Sequence, residues 1–177
     1  MKKDMRLIQV LPTNGIYTLI IFLSMETRLN VGKLGQQKFP KGYYAYTGSA
    51  LGKGASSLKR RVSRHLQKEK QNFWHIDFLL DNENATITAV VAAQTNRKLE
   101  CNLNRYIKRE GGAKIPVKGF GASDCRENCK SHLLFFPDTT KDHILAQKIV
   151  EYYKRHFKKH VLKLLRSTYV RARKNEV

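Results

Sequence analysis

The most apolar stretch of the chain, residues 15–23 (GIYTLIIFL), is rich in β-branched and aromatic residues. This composition predicts a strand that is buried on both faces. The short alternating segment 27–31 predicts its hairpin partner, and residues 42–47 (GYYAYT) predict a third strand. Residues 32–42 contain three glycines and Pro40, which indicates a connection without regular structure. Three sequential strands of this kind would form an antiparallel meander.

A basic helix is predicted after the third strand and a glycine-rich turn. Leu58, Val62 and Leu66 recur every four residues and mark its buried stripe. Arg61 and His65 form a second row beside that stripe, with the same spacing of four. Both side chains should therefore project to one side of the helix.

The second half of the chain alternates strand and helix patterns. Residues 73–80 (FWHIDFLL) fit either a strand or a short helix, and residues 85–93 (ATITAVVAA) predict a buried strand. Residues 97–109 predict a helix that ends at a pair of glycines. Residues 115–130 are typical of a loop, and residues 133–136 predict a last short strand.

Residues 138–177 have a different pattern and predict a long amphipathic helix with a basic outer face. Its apolar positions are Leu145, Ile149, Tyr153, Phe157, Val161 and Leu165. The sequence thus predicts an α+β fold, similar to an α/β sandwich. A small, mainly antiparallel central sheet would carry helices packed against it, with a basic C-terminal helix added. The predicted boundaries are a domain at residues 1–137 and a helical extension at residues 138–177.

The charge balance points to a polyanionic partner. Lys and Arg number 34 and Asp and Glu number 14, which gives a net charge of +20. Such an excess favours binding to nucleic acid of any sequence, because basic side chains neutralise phosphates and release their counterions. DNA is the first candidate partner, with RNA as the alternative.

Membrane and secretion signals are not expected. The chain contains no run of about 18 apolar residues, and its basic start is not followed by an apolar signal core. Three cysteines in a chain of 177 residues favour reduced thiols and a cytoplasmic setting.

Phosphodiester cleavage requires charge neutralisation on phosphate and an activated water. A carboxylate can hold one hard divalent cation, which polarises the phosphate and lowers the pKa of bound water. A guanidinium offers a fork to phosphate oxygens, and a tyrosine or histidine can position the water. The residues that offer this chemistry are Tyr17, Tyr46, Arg61, His65 and Glu100.

Each of these residues also has a structural interpretation. A tyrosine on a strand is usually a core residue, and an arginine-rich helix is usually a solvated face. A glutamate at the start of a helix can complement the helix dipole. The pair His75 and Asp77 fits either support of a site or a structural hydrogen bond.

The order of the candidate residues resembles the GIY-YIG nuclease superfamily. Gly15-Ile16-Tyr17 comes first, then Tyr46-Thr47-Gly48, then Arg61 with His65, and then a helical glutamate. Further segments are similar to the Uri-type endonuclease family over residues 15–137. They are GIYTLIIFL, VGKLG, FPKGYYAYTGSALGKG, LKRRVSRHL, FWHIDFLL, ECNL and GFGASDC…SHLLFF.

This resemblance implies a role for each residue. Tyr17 would activate or position the attacking water, and Tyr46 would lie near the scissile phosphate. Arg61 would stabilise the transition state, and His65 would assist proton transfer or hold phosphate. Glu100 would bind a single Mg²⁺ or Mn²⁺. The connection between the two tyrosines is longer here than in compact members of the superfamily.

Two functions therefore follow from the sequence. The first is a metal-dependent endonuclease that hydrolyses phosphodiester bonds in DNA. The alternative is a non-catalytic nucleic-acid-binding protein on the same fold. In both, basic residues around the predicted helix would contact the phosphate backbone, namely Lys53, Arg60, Arg64 and Lys68.

A second set of residues matches metal-ligand chemistry. Cys101, Cys125, Cys129 and His132 are the ligand types of a tetrahedral structural Zn²⁺ site. The alternative is that the three thiols are buried or incidental, because cysteine is among the most buried residue types.

Overall fold

The computed structural model of the protein describes residues 8–67, 70–138, 141–157 and 160–164. Its main elements are β1 (Gly15–Leu23), β2 (Thr27–Asn30), β3 (Gln36–Phe39), β4 (Gly42–Ala50), α1 (Leu58–Leu66), α2 (His75–Asp81), β5 (Ala85–Gln94), α3 (Glu100–Gly111), β6 (Leu133–Phe136), α4 (Asp142–His156) and β7 (His160–Leu164).

A five-stranded antiparallel sheet organises the molecule, in the order β6-β4-β1-β5-β7. β1 lies at the centre, and eight of its nine residues are buried, as expected for a strand covered on both faces. One face packs against α1, α2 and the β2–β3 hairpin. The other face packs against α3 and α4. The predicted α+β class, with helices packed on a small antiparallel sheet, is confirmed.

The predicted meander is wrong. β2 pairs with β3 in a separate two-stranded sheet, and β4 pairs directly with β1 along nine residues. The physical reason is the match of length and polarity. β4 and β5 are long and largely buried, so they can cover both edges of β1, whereas β2 is short and half-exposed. The segment predicted as an irregular connection therefore contains β3.

The C-terminal prediction is partly confirmed. α4 buries Leu145, Ile149 and Tyr153 as its periodicity predicts. The helix ends at His156, however, and His160–Leu164 forms β7 along β5. A long helix to the chain end is wrong at these positions because β5 would otherwise present a row of unpaired backbone groups. Leu165 and the residues after it lie outside the described ranges.

The ambiguous segment 73–80 is helical from His75 onward, and the helix predicted over residues 97–109 runs from Glu100 to Gly111. Gly112 ends it in the left-handed conformation, with φ of 63°.

In the described part of the chain, every helix is too short or too polar to span a membrane.

We expect Gly15→Ala to destabilise the sheet by at least about 2 kcal/mol, because a Cβ there would lie 2.1 Å from the Ala93 carbonyl oxygen. Gly112→Ala is the matched control. A Cβ at Gly112 meets nothing within 4 Å, so only the left-handed backbone costs about 1 kcal/mol. Urea denaturation of both variants measures the difference. Equal losses would contradict the close approach of β1 and β5.

Candidate active site and metal cluster

A cavity of about 390 Å³ lies at the C-terminal end of β4. Its walls come from β4, α1, the start of α2, the start of α3 and the loop before β6. Three of the five predicted residues line it: Tyr46, Arg61 and Glu100. The structure thus brings together groups that are up to 54 positions apart in sequence.

The other two predicted residues lie directly behind the cavity wall. The Tyr17 hydroxyl is 2.8 Å from Nε2 of His65, and both side chains are fully buried. In the register of β1 and β4, Tyr17 is opposite Gly48. A Cβ at Gly48 would lie 2.7 Å from the Tyr17 hydroxyl oxygen, so the glycine makes room for the phenol. Gly48 itself lines the cavity.

Arg61 is held in place on two sides. Its Nη1 donates to the Ser49 carbonyl at 2.7 Å, and its guanidinium carbon lies 4.8 Å from the centre of a Trp74 ring. Both contacts restrain the planar group while leaving further N–H donors at the cavity. The arrangement suits recognition of an oxyanion.

Asp77 connects the two helices beside the cavity. Its buried Oδ2 accepts hydrogen bonds from the backbone N–H groups of Phe73 and Trp74, and from Arg64 at 2.8 Å. Its Oδ1 lies 4.0 Å from Nδ1 of His65. Neither of these two atoms has a hydrogen-bond partner among the described residues. Asp77 therefore faces the side of the imidazole opposite Tyr17.

The basic residues predicted to contact phosphate differ in their placement. Lys53 and Arg60 are exposed, whereas Arg64 is engaged in the ion pair with Asp77 and in a hydrogen bond to the Gln71 carbonyl. Lys68 lies outside the described residues.

Burial keeps the hydroxyls and the imidazole uncharged. It raises the pKa of Tyr17 well above its ordinary value, an effect that nearby Tyr46 increases and Arg61 opposes. Burial also raises the pKa of Tyr46 to about 12. It lowers the pKa of His65 from 6.5 to about 3, although Asp77 acts in the opposite direction. At neutral pH the site therefore combines a neutral imidazole and two phenols with the Arg61 cation.

Glu100 is the first residue of α3 and supplies a carboxylate to the cavity. Its Oε2 is buried and has no hydrogen-bond partner within the described ranges. The side chain is partly exposed at the cavity, so this unpaired oxygen is available to a cation bound there. Oxygen is the donor that Mg²⁺ and Mn²⁺ prefer, so this residue fits a hard divalent ion.

Sequence reasoning missed two charged residues of the cavity, Lys98 and Asp124. They lie just before α3 and in the loop before β6, and no spacing rule singled them out. His75 also lines the cavity, and its Nδ1 accepts the N–H of Gly121 at 3.0 Å. The sequence had indicated His75 as either supporting or structural, and this hydrogen bond fixes the loop against α2.

The four residues of the predicted metal set converge. The ligand atoms of Cys101, Cys125, Cys129 and His132 all lie within 4.8 Å of one another. Sγ of Cys101 is 3.3 Å from Sγ of Cys125 and 3.6 Å from Nε2 of His132. This Cys₃His cluster could hold a metal ion, and His132 also lines the cavity.

Stability should fall on acidification because of His65. The neutral imidazole is favoured in the folded protein, whereas the unfolded chain takes up a proton below about pH 6.5. This stabilisation is present above pH 6.5 and is lost as the pH falls towards 3, at up to about 1.4 kcal/mol per pH unit. Urea denaturation between pH 7 and 4 should show a shallower dependence for His65→Gln. An identical dependence would contradict the buried neutral imidazole.

Comparisons with curated proteins and with solved structures give no match for this chain. A family model described as domain of unknown function DUF123 matches residues 16–155. The matched range contains the cavity residues named above and the Cys₃His cluster. The chain belongs to the family of domain of unknown function DUF123.

Proposed function

We propose that this protein is a metal-dependent endonuclease that hydrolyses DNA phosphodiesters at a GIY-YIG-type site, related to the Uri-type endonucleases. The observation that carries the proposal is the convergence of Tyr46, Arg61 and Glu100 on one cavity, with Tyr17 hydrogen-bonded to His65 behind it. These are the five residues that the sequence pattern selected. They come from two strands, β1 and β4, and two helices, α1 and α3.

Arg61 would bind the scissile phosphate. Its contacts to Ser49 and Trp74 hold the guanidinium before any ligand arrives, so little ordering is required on binding. Charge that builds up on the phosphoryl oxygens would be stabilised by the guanidinium N–H groups that face the cavity. Tyr46, whose ring also lines the cavity, would donate its hydroxyl proton in a hydrogen bond to the same group or to the attacking water.

Tyr17 and His65 would act one layer behind the phosphate. With Nδ1–H of His65 directed at Asp77, its Nε2 accepts the Tyr17 hydroxyl proton. At neutral pH the lowered pKa of His65 makes the imidazole a poor proton acceptor, and the raised pKa of Tyr17 makes the phenol a poor acid. This bond would therefore hold the cavity wall in place, and with it Arg61 and the attacking water.

Glu100 would hold the catalytic cation, Mg²⁺ or Mn²⁺. The support is its buried Oε2, which lacks a partner among the described residues. When bound, such an ion neutralises phosphate charge and lowers the pKa of a coordinated water. The Cys₃His cluster suits a different metal. Its thiols favour Zn²⁺ over Mg²⁺ or Mn²⁺, so we assign it a structural Zn²⁺.

The net charge of +20 supports a nucleic acid as substrate, with DNA as the first candidate and RNA as the second. A non-catalytic nucleic-acid-binding protein is the alternative function. The burial of Tyr17 behind Gly48 favours that alternative, because the first motif tyrosine does not contact the cavity directly.

Cleavage assays with Mg²⁺ or Mn²⁺ separate the two functions. We expect wild-type protein to nick plasmid DNA, and Arg61→Ala and Glu100→Gln to lose at least about 100-fold in rate. Tyr17→Phe keeps the ring in its pocket and should lose about 10-fold or more. Arg109→Ala is the charge-matched control, because Arg109 is exposed at the far end of α3.

DNA binding should be measured on the same proteins. If Glu100→Gln binds DNA as tightly as wild type but does not cut, the residue acts in catalysis. If wild type binds DNA and RNA yet cuts neither with either metal, the alternative function is correct.

A further inference from the structure

The loop between α3 and β6 supplies four residues of the cavity wall but has little regular structure. Residues 113–132 contain no helix or strand apart from an isolated bridge at Lys114. Loops longer than about 12–15 residues within a compact domain normally need specific contacts to hold them. Here the base of the loop is held by bonds from Gly119 N–H to the Lys130 carbonyl, from Gly121 N–H to His75 and from the Asn104 amide to the Ser131 carbonyl. Arg105 pairs with Glu127 at the exposed side. Near Cys125 the backbone bond is a local one, from the Cys125 N–H to the Ala122 carbonyl.

We propose that one Zn²⁺ bound by the Cys₃His cluster clamps this loop to α3 and β6, and so fixes the position of Glu100 in the cavity. The binding of zinc stands on the cluster alone, whereas its consequence for cleavage rests on the proposed nuclease function. The zinc ion would hold the site together and would take no part in the cleavage chemistry.

The cluster has the dimensions of a tetrahedral zinc site. Zn–S bonds of about 2.3 Å place two sulfurs about 3.8 Å apart around one ion. The Cys101–Cys125 separation is 3.3 Å, the Cys101–His132 separation is 3.6 Å, and all four ligand atoms lie within 4.8 Å of one another, so small side-chain shifts bring them to one ion. The four residues are also buried or half-buried, and the His132 ring donates a hydrogen bond to the Gly121 backbone. Such an outer contact is common for metal-bound histidines.

The clamp joins three segments, and each segment also supplies a cavity residue. Cys101 follows Glu100 in the first turn of α3. Cys125 follows Asp124, which lines the cavity from the loop. His132 lines the cavity itself, and its backbone bonds to both Thr47 of β4 and Phe120.

Glu100 lacks the usual means of being fixed at a helix start. The N-cap of α3 is Leu99, which makes no side-chain capping bond. The Glu100 carboxylate also has one buried oxygen without a partner in the described ranges. A metal bound through the adjacent Cys101 would therefore hold the first turn of α3 at the cavity.

Metal analysis tests the site first. The full chain, purified without chelators from zinc-supplemented cells, should contain one Zn²⁺ per chain, and Cys129→Ser should lose stoichiometric zinc. Lys130→Gln is the control, because Lys130 is an exposed neighbour of Cys129 in the same loop. Replacement by Co²⁺ should give the visible spectrum of a tetrahedral thiolate complex. Zinc-free wild-type protein, or iron in place of zinc, would overturn the assignment.

Hydrogen exchange tests the clamp independently of any cleavage. Removal of zinc, by chelation or by Cys129→Ser, should accelerate exchange in peptides covering residues 100–104 and 113–132. Exchange in β1 and β5 should change little. The clamp is wrong if zinc binds but its loss leaves the exchange rates of those peptides unchanged. It is also wrong if loss of zinc accelerates exchange to the same extent throughout the chain.

Titration with Mn²⁺, followed by electron paramagnetic resonance, separates this inference from the proposed function. Zinc-loaded wild type should bind Mn²⁺ at the cavity, and Cys129→Ser should bind it about tenfold more weakly. Glu100→Gln should lose Mn²⁺ binding and keep its zinc. Failure of wild type to bind Mn²⁺ would contradict the nuclease proposal, while the exchange result would still decide the clamp. Equal Mn²⁺ affinity with and without zinc would overturn the clamp.

Discussion

The hydrogen bond between the Tyr17 hydroxyl and Nε2 of His65 is the contact on which the cavity depends. It joins the central strand of the sheet to the basic helix, and it requires Gly48 on the neighbouring strand to leave room for the phenol. With the helix fixed there, Arg61 lies one turn away at the cavity. The aromatic–glycine pattern and the basic helix therefore form one structural unit, in which the buried pair helps to position the half-buried Arg61 cation.

Burial gives this unit its electrostatic character. An uncharged imidazole and two phenols of raised pKa lie next to a guanidinium, in a chain with a net charge of +20. The buried Asp77 pairs with Arg64 and lies 4.0 Å from the far side of the imidazole. The cations that line the cavity are Arg61 and Lys98, beside the carboxylates of Glu100 and Asp124. The site thus offers N–H and phenol donors to an anion and carboxylate oxygens to a cation.

Much of the fold could be predicted, because the strongest signals were local. The apolar run of β1, the buried run of β5 and the four-residue spacing of Arg61 and His65 each fix a single element. Strand pairing could not be predicted in the same way. The preference of β1 for β4 over β2, and the strand that covers the edge of β5, follow from tertiary competition for backbone hydrogen bonds.

The candidate site was also only partly predictable from local sequence patterns. Residue order selected Tyr17, Tyr46, Arg61, His65 and Glu100, but only the fold separates the three that line the cavity from the two that lie behind it. The convergence of the Cys₃His cluster likewise depends on how the loop before β6 folds, which no spacing rule describes.

The most direct test of the central claim is a crystal structure with Mn²⁺ and a DNA duplex carrying a non-hydrolysable linkage. The account predicts a phosphate bound by Arg61 and an ion at Glu100. DNA bound elsewhere on the basic surface, with neither phosphate nor ion in the cavity, would contradict it.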